Sequence, residues 1–179
     1  MKKLCAFIVL FCAMCCACRL GYAETPLQTC PPAGYTTNNA WDYSMGYRFT
    51  PNVNGQITKL GGYFSGTKWV RLYDASYTLL ASAQVMSAYN WVYTSITPVS
   101  VTSGATYYVV VEVASSGGVF NTYTTPNTCG NVTMNASTYQ TPSGTFNSGH
   151  AETPSYMYGL VDVEFTVGGG ASAFLLGGD

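Results

Sequence analysis

Charge is scarce in this sequence. Charged residues fill 8% of 179 positions, against ~25% in an average soluble domain. The formal net charge is −1, so no basic field exists to draw a nucleic acid. Imidazole is scarcer still. His150 is the single histidine, and no Gly-x-Ser-x-Gly elbow accompanies it, so a Ser-His-Asp triad has little to work with. His150 reads as a loop residue. No stretch carries apolar residues at the 3.6-residue period of an amphipathic helix. Beyond the first 18 residues no apolar run is long enough to suggest a membrane span.

That first run, Leu4 to Cys18 after Met1-Lys2-Lys3, has the length and basic start of a signal peptide. Gly21-Tyr22-Ala23 offers small residues at −3 and −1, and cleavage is expected between Ala23 and Glu24. A membrane anchor would need ~20 apolar residues. A lipoprotein would use one of Cys12, Cys15, Cys16 or Cys18, but no lipobox-like sequence precedes any of them. Export leaves Arg48, Lys59, Lys68 and Arg71 against eight acids, about −4. It also leaves only Cys30 and Cys129. One cysteine pair bound for an oxidising space predicts a disulfide. Two buried thiols or half of a metal site are the alternatives, and no second Cys pair or His cluster favours a metal.

What remains is rich in Tyr (15 residues) and in Thr, composition that suits strands. Residues 24–40 hold Pro26, Pro31, Pro32 and Gly34 and read as an extended leader without an element. Ser44–Thr50 alternates, with Met45, Tyr47 and Phe49 on one face. Asn54-Gly55 is a hairpin-type turn. In Gln56–Phe64, Ile57 and Leu60 are three apart, so a bulge near Lys59 is needed for both to face inward. Gly66 reads as the next turn. Lys68–Asp74 places Val70 and Leu72 inward and Trp69, Arg71 and Tyr73 outward. Thr78–Val85 places Leu79, Ala81, Ala83 and Val85 inward. Trp91–Ile96 and Val99–Val101 read as further short strands, and Thr106–Val113 as a central one. Val119–Tyr123 follows. Residues 124–154 are polar and read as a long loop. Val161–Val167 closes the domain, with Asp162 and Glu164 on its wet face, and a Gly-rich tail runs over 168–179. The predicted fold is an all-β antiparallel sandwich over 41–167, jelly-roll-like or immunoglobulin-like.

Four blocks resemble a known family. They are Y-R-F-T-P-N-V-N-G-Q-I-T (Tyr47–Thr58), V-R-L-Y-D-A-S-Y-T-L-L-A-S-A (Val70–Ala83), P-V-S-V-T-S-G-A-T-Y-Y-V-V-V (Pro98–Val111) and V-D-V-E-F-T (Val161–Thr166). Their order and spacing are similar to those of the bacterial domain of unknown function 4082. The resemblance implies a secreted β-sandwich of the kind joined to glycan-active or surface proteins, and it brings no catalytic residues to carry over. The chain departs from the pattern at Gly61-Gly62 and in the loop bearing Cys129.

Chemistry is sparse. Asp162 and Glu164 could stand ~6.5–7 Å apart on one strand face, within glycosidase range, yet no apolar pocket is evident to raise one pKa. Asp42, Asn54, Asp74 and Asp162 could hold a structural calcium only if folding gathers them; no other cofactor is expected. Asp74 alone reads as a turn residue. Asn131 and Asn135 head glycosylation sequons that matter little in a bacterial host. Aromatics are the best lead. Trp69 and Tyr73 flank Arg71 on one strand face, and Trp91 and Tyr93 form a second pair. Flat rings with polar neighbours suit sugar faces. The expectation is a non-catalytic, secreted or cell-surface module that binds glycan. The alternative is a structural or adhesive protein that self-associates or packs on an envelope partner. A glycan-active hydrolase ranks third.

Overall fold

The computed structural model describes residues 22–38 and 40–167. Residues 1–21 of the expected signal peptide and the Gly-rich tail over 168–179 lie outside the described residues. Most of the described chain is strand, with one short helix. The segment read as a bare leader carries β1 (Ala23–Glu24), a four-residue helix α1 (Pro26–Thr29) and β2 (Thr36–Asn38). β3 (Ser44–Pro51) follows, then β4 (Gly55–Asp74) and β5 (Leu79–Val101). The remainder is β6 (Tyr107–Glu112), β7 (Gly118–Thr122), β8 (Asn127–Cys129), β9 (Val132–Gln140), β10 (Ala151–Thr153), β11 (Tyr156–Tyr158) and β12 (Val161–Val167).

All strand pairs are antiparallel. One sheet runs β1-β12-β4-β6-β3-β9-β10, with β5 also on β4 and β8 on β9, and a smaller sheet runs β11-β7-β2. β4 changes neighbour along its length. Gly55–Gly62 pairs with β12, whereas Val70–Asp74 pairs with β6. The β4–β5 hairpin must therefore curl, and the two ends of β5 line one groove of about 440 Å³ between Leu80–Ser82 and Ser95–Val99. The result is a sandwich-like body of curled antiparallel sheets.

Alternation builds the core as expected in β3, where Met45, Tyr47 and Phe49 are all buried. Gly46, on the other face, packs so closely on the Val109 carbonyl and the Val161 side chain that a Cβ would collide with both. The bulge required near Lys59 falls at Thr58. Phe165 pairs with Ile57 and Glu164 with Lys59, so Thr58 is the extra residue, and Ile57 and Leu60 are both fully buried.

Gly66 is no turn between strands. β4 passes straight through it at φ +85°, and the three short strands expected over 78–101 are one continuous β5. Register irregularities absorb the apparent breaks: Phe64/Ser65 faces Asn90 and Ala88, and Ile57/Lys59 faces Val99 and Ser95. Leu79, expected inward, is exposed, while Ala83 and Val85 do face in. The polar stretch 124–154 holds β8, β9 and β10. Val132, Met134 and Ala136 alternate inward along β9. Ser137 is buried because its hydroxyl donates to the Gly46 carbonyl and accepts from the Tyr158 amide. Cys30 and Cys129 form the expected disulfide, 99 residues apart in sequence. Among the described residues, no helix is long and apolar enough to cross a membrane.

Candidate ligand-binding surface

Asp162 is the largest departure from expectation. It is not on a wet face but fully buried. Its Oδ1 accepts from the Leu27 amide (3.2 Å), the Tyr47 hydroxyl (2.8 Å) and the Val163 amide (2.9 Å). Its Oδ2 accepts from the Gln28 amide (2.9 Å) and the Tyr93 hydroxyl (3.0 Å). Burial pushes this carboxyl up to about 6 against the pull of those hydrogen bonds. Burying an ion costs several kcal/mol. Five donors offset that, and Val161, Val163 and Phe165, buried on the same strand, each contribute roughly 1.5–3 kcal/mol of burial. Glu164, the expected partner carboxylate, instead pairs with Lys59 (2.8 Å) and Thr58 (2.8 Å).

Tyr93, Gly61 and Asp162 lie in one row across three strands, since Gly61 pairs with Tyr93 on β5 and with Asp162 on β12. Gly61 has to be glycine here, because a Cβ would strike the Tyr93 ring and the Val92 carbonyl. The Tyr93 ring can thus lie across β4 to reach the carboxylate. Gly61→Ala should cost about 2–4 kcal/mol through overpacking and loss of the Tyr93–Asp162 bond. Chemical denaturation measures this, and an unchanged midpoint would contradict the role given to Gly61.

Trp91 lies 16° from parallel with Tyr93, ring centroids 6.5 Å apart. Opposite it on β4 is Tyr63, at 5.9 Å, and Tyr35 stacks on Tyr63 at 4.3 Å and 21°. Tyr89 joins the group 6.3 Å from Tyr63. It is the extra residue of a β5 bulge, since Asn90 pairs with Phe64 and Ala88 with Ser65. Its φ is +57°, a conformation costing on the order of 1–3 kcal/mol for a residue with a side chain. The Ser87 hydroxyl, donating to the Asn90 carbonyl at 2.6 Å, and the Asn90 side chain, accepting from the Ala88 amide at 3.0 Å, hold the bulge. Five rings therefore form one surface row. Tyr35 (42%) and Tyr89 (38%) are exposed, and Tyr63, Trp91 and Tyr93 are half-buried.

The other aromatic candidates do not join this row. Trp69 is exposed but lies under its own Arg71, whose guanidinium is 5.4 Å from the ring centroid and also pairs with Glu112. Tyr73, expected at the surface, is buried against Phe146, Tyr108 and Val110, because 124–154 folds back instead of looping out. Tyr35, Tyr63 and Tyr89 went unread as site residues. They are separated in sequence: the β4–β5 register brings Tyr63 and Tyr89 together, and Tyr35 reaches them from the segment just before β2 by stacking on Tyr63.

His150 is packed among Tyr77, Tyr108 and Phe146, with Nδ1 2.8 Å from the Asn147 carbonyl and Nε2 3.4 Å from Glu152. Glu152 also takes both ends of Arg48, at 2.8 and 3.1 Å. Burial raises its carboxyl, but Arg48 and His150 outweigh that and bring it below the ordinary value. The four residues considered for calcium stay apart in their bonding. Asp74 accepts from the Ser76 and Thr78 amides, Asp42 from the Ser143 amide, and Asn54 from the Ser103 amide, while Asp162 is saturated as above. Of the sequon asparagines, Asn131 donates to Glu24 and Asn135 to the Thr50 hydroxyl.

A family model described as Domain of unknown function (DUF4082) matches residues 29–160. The chain belongs to this family. The match spans β2 to β11, including the whole aromatic row and both disulfide cysteines, and it stops just short of β12 and Asp162. No curated protein matches the chain. The DUF4082 membership names no activity and leaves function to be argued from the surface.

Proposed function

We propose that this DUF4082 domain is a non-catalytic, exported binding module that holds carbohydrate on the aromatic row around Trp91. The observation that carries the reading is the near-parallel pair Trp91 and Tyr93, extended by Tyr63, Tyr35 and Tyr89 on one side of the β4–β5 hairpin. Sugar C–H faces stack on rings so arranged. The strained Tyr89 supports it, since strain of this kind collects at functional positions. The non-catalytic part is supported by the occupied carboxylates: Asp162 has five donors and Glu164 is paired.

The test is retention on insoluble polysaccharides together with a glycan array. Trp91→Ala should weaken binding about tenfold, the equivalent of one stacked ring. Trp69→Ala, whose ring already carries Arg71, should stay within about twofold. Equal loss in both variants, or in neither, would overturn the reading.

A second reading has its own support. Among the described residues β5 pairs only with β4, which leaves one side of a 23-residue strand without a described partner, and Leu79 and Met86 are exposed on that strand. Self-association through that edge would appear as concentration-dependent sedimentation in the absence of sugar.

A further inference from the structure

A second group of rings lies apart from the Trp91 row and has a different shape. Trp41, Tyr43, Tyr139 and Tyr158, with Met45, line a cavity of about 180 Å³. Going round it, the ring centroids are 6.5 Å apart from Trp41 to Tyr43, 6.1 Å from Tyr43 to Tyr139, 5.2 Å from Tyr139 to Tyr158 and 5.6 Å from Tyr158 to Trp41. The interplanar angles at those four corners are 80°, 70°, 76° and 79°. Each wall is thus nearly perpendicular to the next, whereas Trp91 and Tyr93 lie almost flat to one another.

The fold holds these walls in place. The Trp41 and Tyr43 carbonyls accept from the Ser115 amide (2.7 Å) and the Val113 amide (2.9 Å). Met45 pairs directly with Tyr139 across β3 and β9. The Tyr158 amide is fixed by the Ser137 hydroxyl at 2.8 Å. Behind the walls, Tyr156 stacks on Tyr158 at 5.6 Å, and Phe120 lies 4.8 Å from Trp41. The ring positions are set before any ligand arrives, which lowers the cost of binding.

We propose that this box binds a trimethylammonium group, as carried by choline. Perpendicular walls enclose a compact, roughly spherical group and suit a flat sugar ring poorly. A point at the centre of a square with these sides is about 4 Å from each ring, inside the ~6 Å range of a cation–π contact. The cavity is below the ~300 Å³ at which pockets for whole drug-sized ligands begin, and it fits a head group. No cation of the chain is free to fill it among the described residues. Arg48 pairs with Glu152, Lys59 with Glu164 and Arg71 with Glu112, and Lys68 donates to the Val113 and Ser116 carbonyls. Asp42, between two of the walls in sequence, has no ion-pair partner among the described residues and is bonded to the Ser143 amide.

The experiment titrates choline chloride into the exported, disulfide-intact protein at constant ionic strength, read by calorimetry and tryptophan fluorescence. The neutral isostere 3,3-dimethylbutan-1-ol and phosphocholine are titrated in parallel. Choline should saturate one site, and the isostere should bind about tenfold more weakly because it lacks the charge. Phosphocholine should bind no more tightly than choline, since the four described cations are engaged elsewhere. Trp41→Leu and Tyr139→Leu keep apolar bulk without the ring and should each weaken choline about tenfold or more. Tyr139→Phe keeps the ring and should retain binding, and Trp91→Ala should leave it unchanged. Equal binding of choline and its isostere would overturn the proposal, as would tighter binding of phosphocholine, loss in Tyr139→Phe with a native circular dichroism spectrum, or no saturable signal from choline. Because Trp91→Ala separates the two sites, failure here and failure of the sugar row give different patterns.

Discussion

Replacing Asp162 with alanine should lower the unfolding free energy by about 3 kcal/mol at pH 7, and by more at pH 4. The residue is the point at which four pieces of chain meet. It accepts from two amides of the N-terminal segment and from the hydroxyls of Tyr47 on β3 and Tyr93 on β5, besides the amide of Val163. Alanine leaves those donors buried without an acceptor. Tyr93 would lose its anchor as well, so ordering of the Trp91 row should suffer with stability. The pH dependence follows from the raised carboxyl. Its folded value of about 6 lies above its ordinary 3.8, so the folded state holds a proton that the unfolded state gives up. This contribution is full below pH ~4, declines as pH rises to about 6 and is flat above, a change of roughly 3 kcal/mol. Glu152, held low by Arg48, acts in the opposite direction as pH falls, so the comparison must be between wild type and variant. Urea unfolding at pH 4, 5.5 and 7 measures it. The wild-type advantage should be widest at pH 4 and narrow towards pH 7. A pH-independent gap would show that burial does not perturb this carboxyl.

Removing the Cys30–Cys129 bridge by a double serine substitution should cost about 2–5 kcal/mol. The bridge closes 99 residues, for which chain entropy alone gives close to 4.7 kcal/mol as an upper figure. It also retains the N-terminal segment, which Glu24 secures by accepting from the Asn131 amide at 2.7 Å and the Asn131 side chain at 2.6 Å, and which Asp162 holds at α1. The two substitutions loosen the same segment, so their costs should fall short of additive when combined. Thermal unfolding with and without reductant, and of the double variant, checks this. Reduction that leaves the transition unmoved would contradict it.

Period-two alternation was readable wherever one face is apolar. Met45, Tyr47 and Phe49, and Val161, Val163 and Phe165, needed no coordinates, and even the bulge at Thr58 followed from Ile57 and Leu60 falling out of phase. Strand continuity was not readable at Gly66 or at Tyr89, because turn-forming residues mark bulges as well as hairpins, and only the partner strand distinguishes them. β9 was hidden by its hydroxyls. Thr and Ser look like loop residues until a backbone partner buries them, as Gly46 and Tyr158 do for Ser137. Asp162 was misplaced for a related reason. Alternation gives two faces to a strand but does not say that both are covered, and the cover here is a segment that reads as a proline-rich leader. Of the aromatic candidates, Trp91 and Tyr93 stand in one row, but Trp69 is capped by Arg71 and Tyr73 is buried. Arg71 is a local neighbour of Trp69, but its Glu112 partner, the β4–β5 register and the cover over Tyr73 all come from distant parts of the chain.

The central claim is that ring geometry divides this surface into an open row, built on two near-parallel ring pairs, and a box of perpendicular rings, with different ligands. Three tryptophans report on it, and their indole N–H resonances can be followed in one ¹⁵N-labelled sample. Soluble fragments of a retained polysaccharide should shift Trp91 and leave Trp41 and Trp69 in place, and choline should shift Trp41 alone. Movement of Trp69 without Trp91 on adding sugar, or the same indole responding to both ligands, would contradict the account.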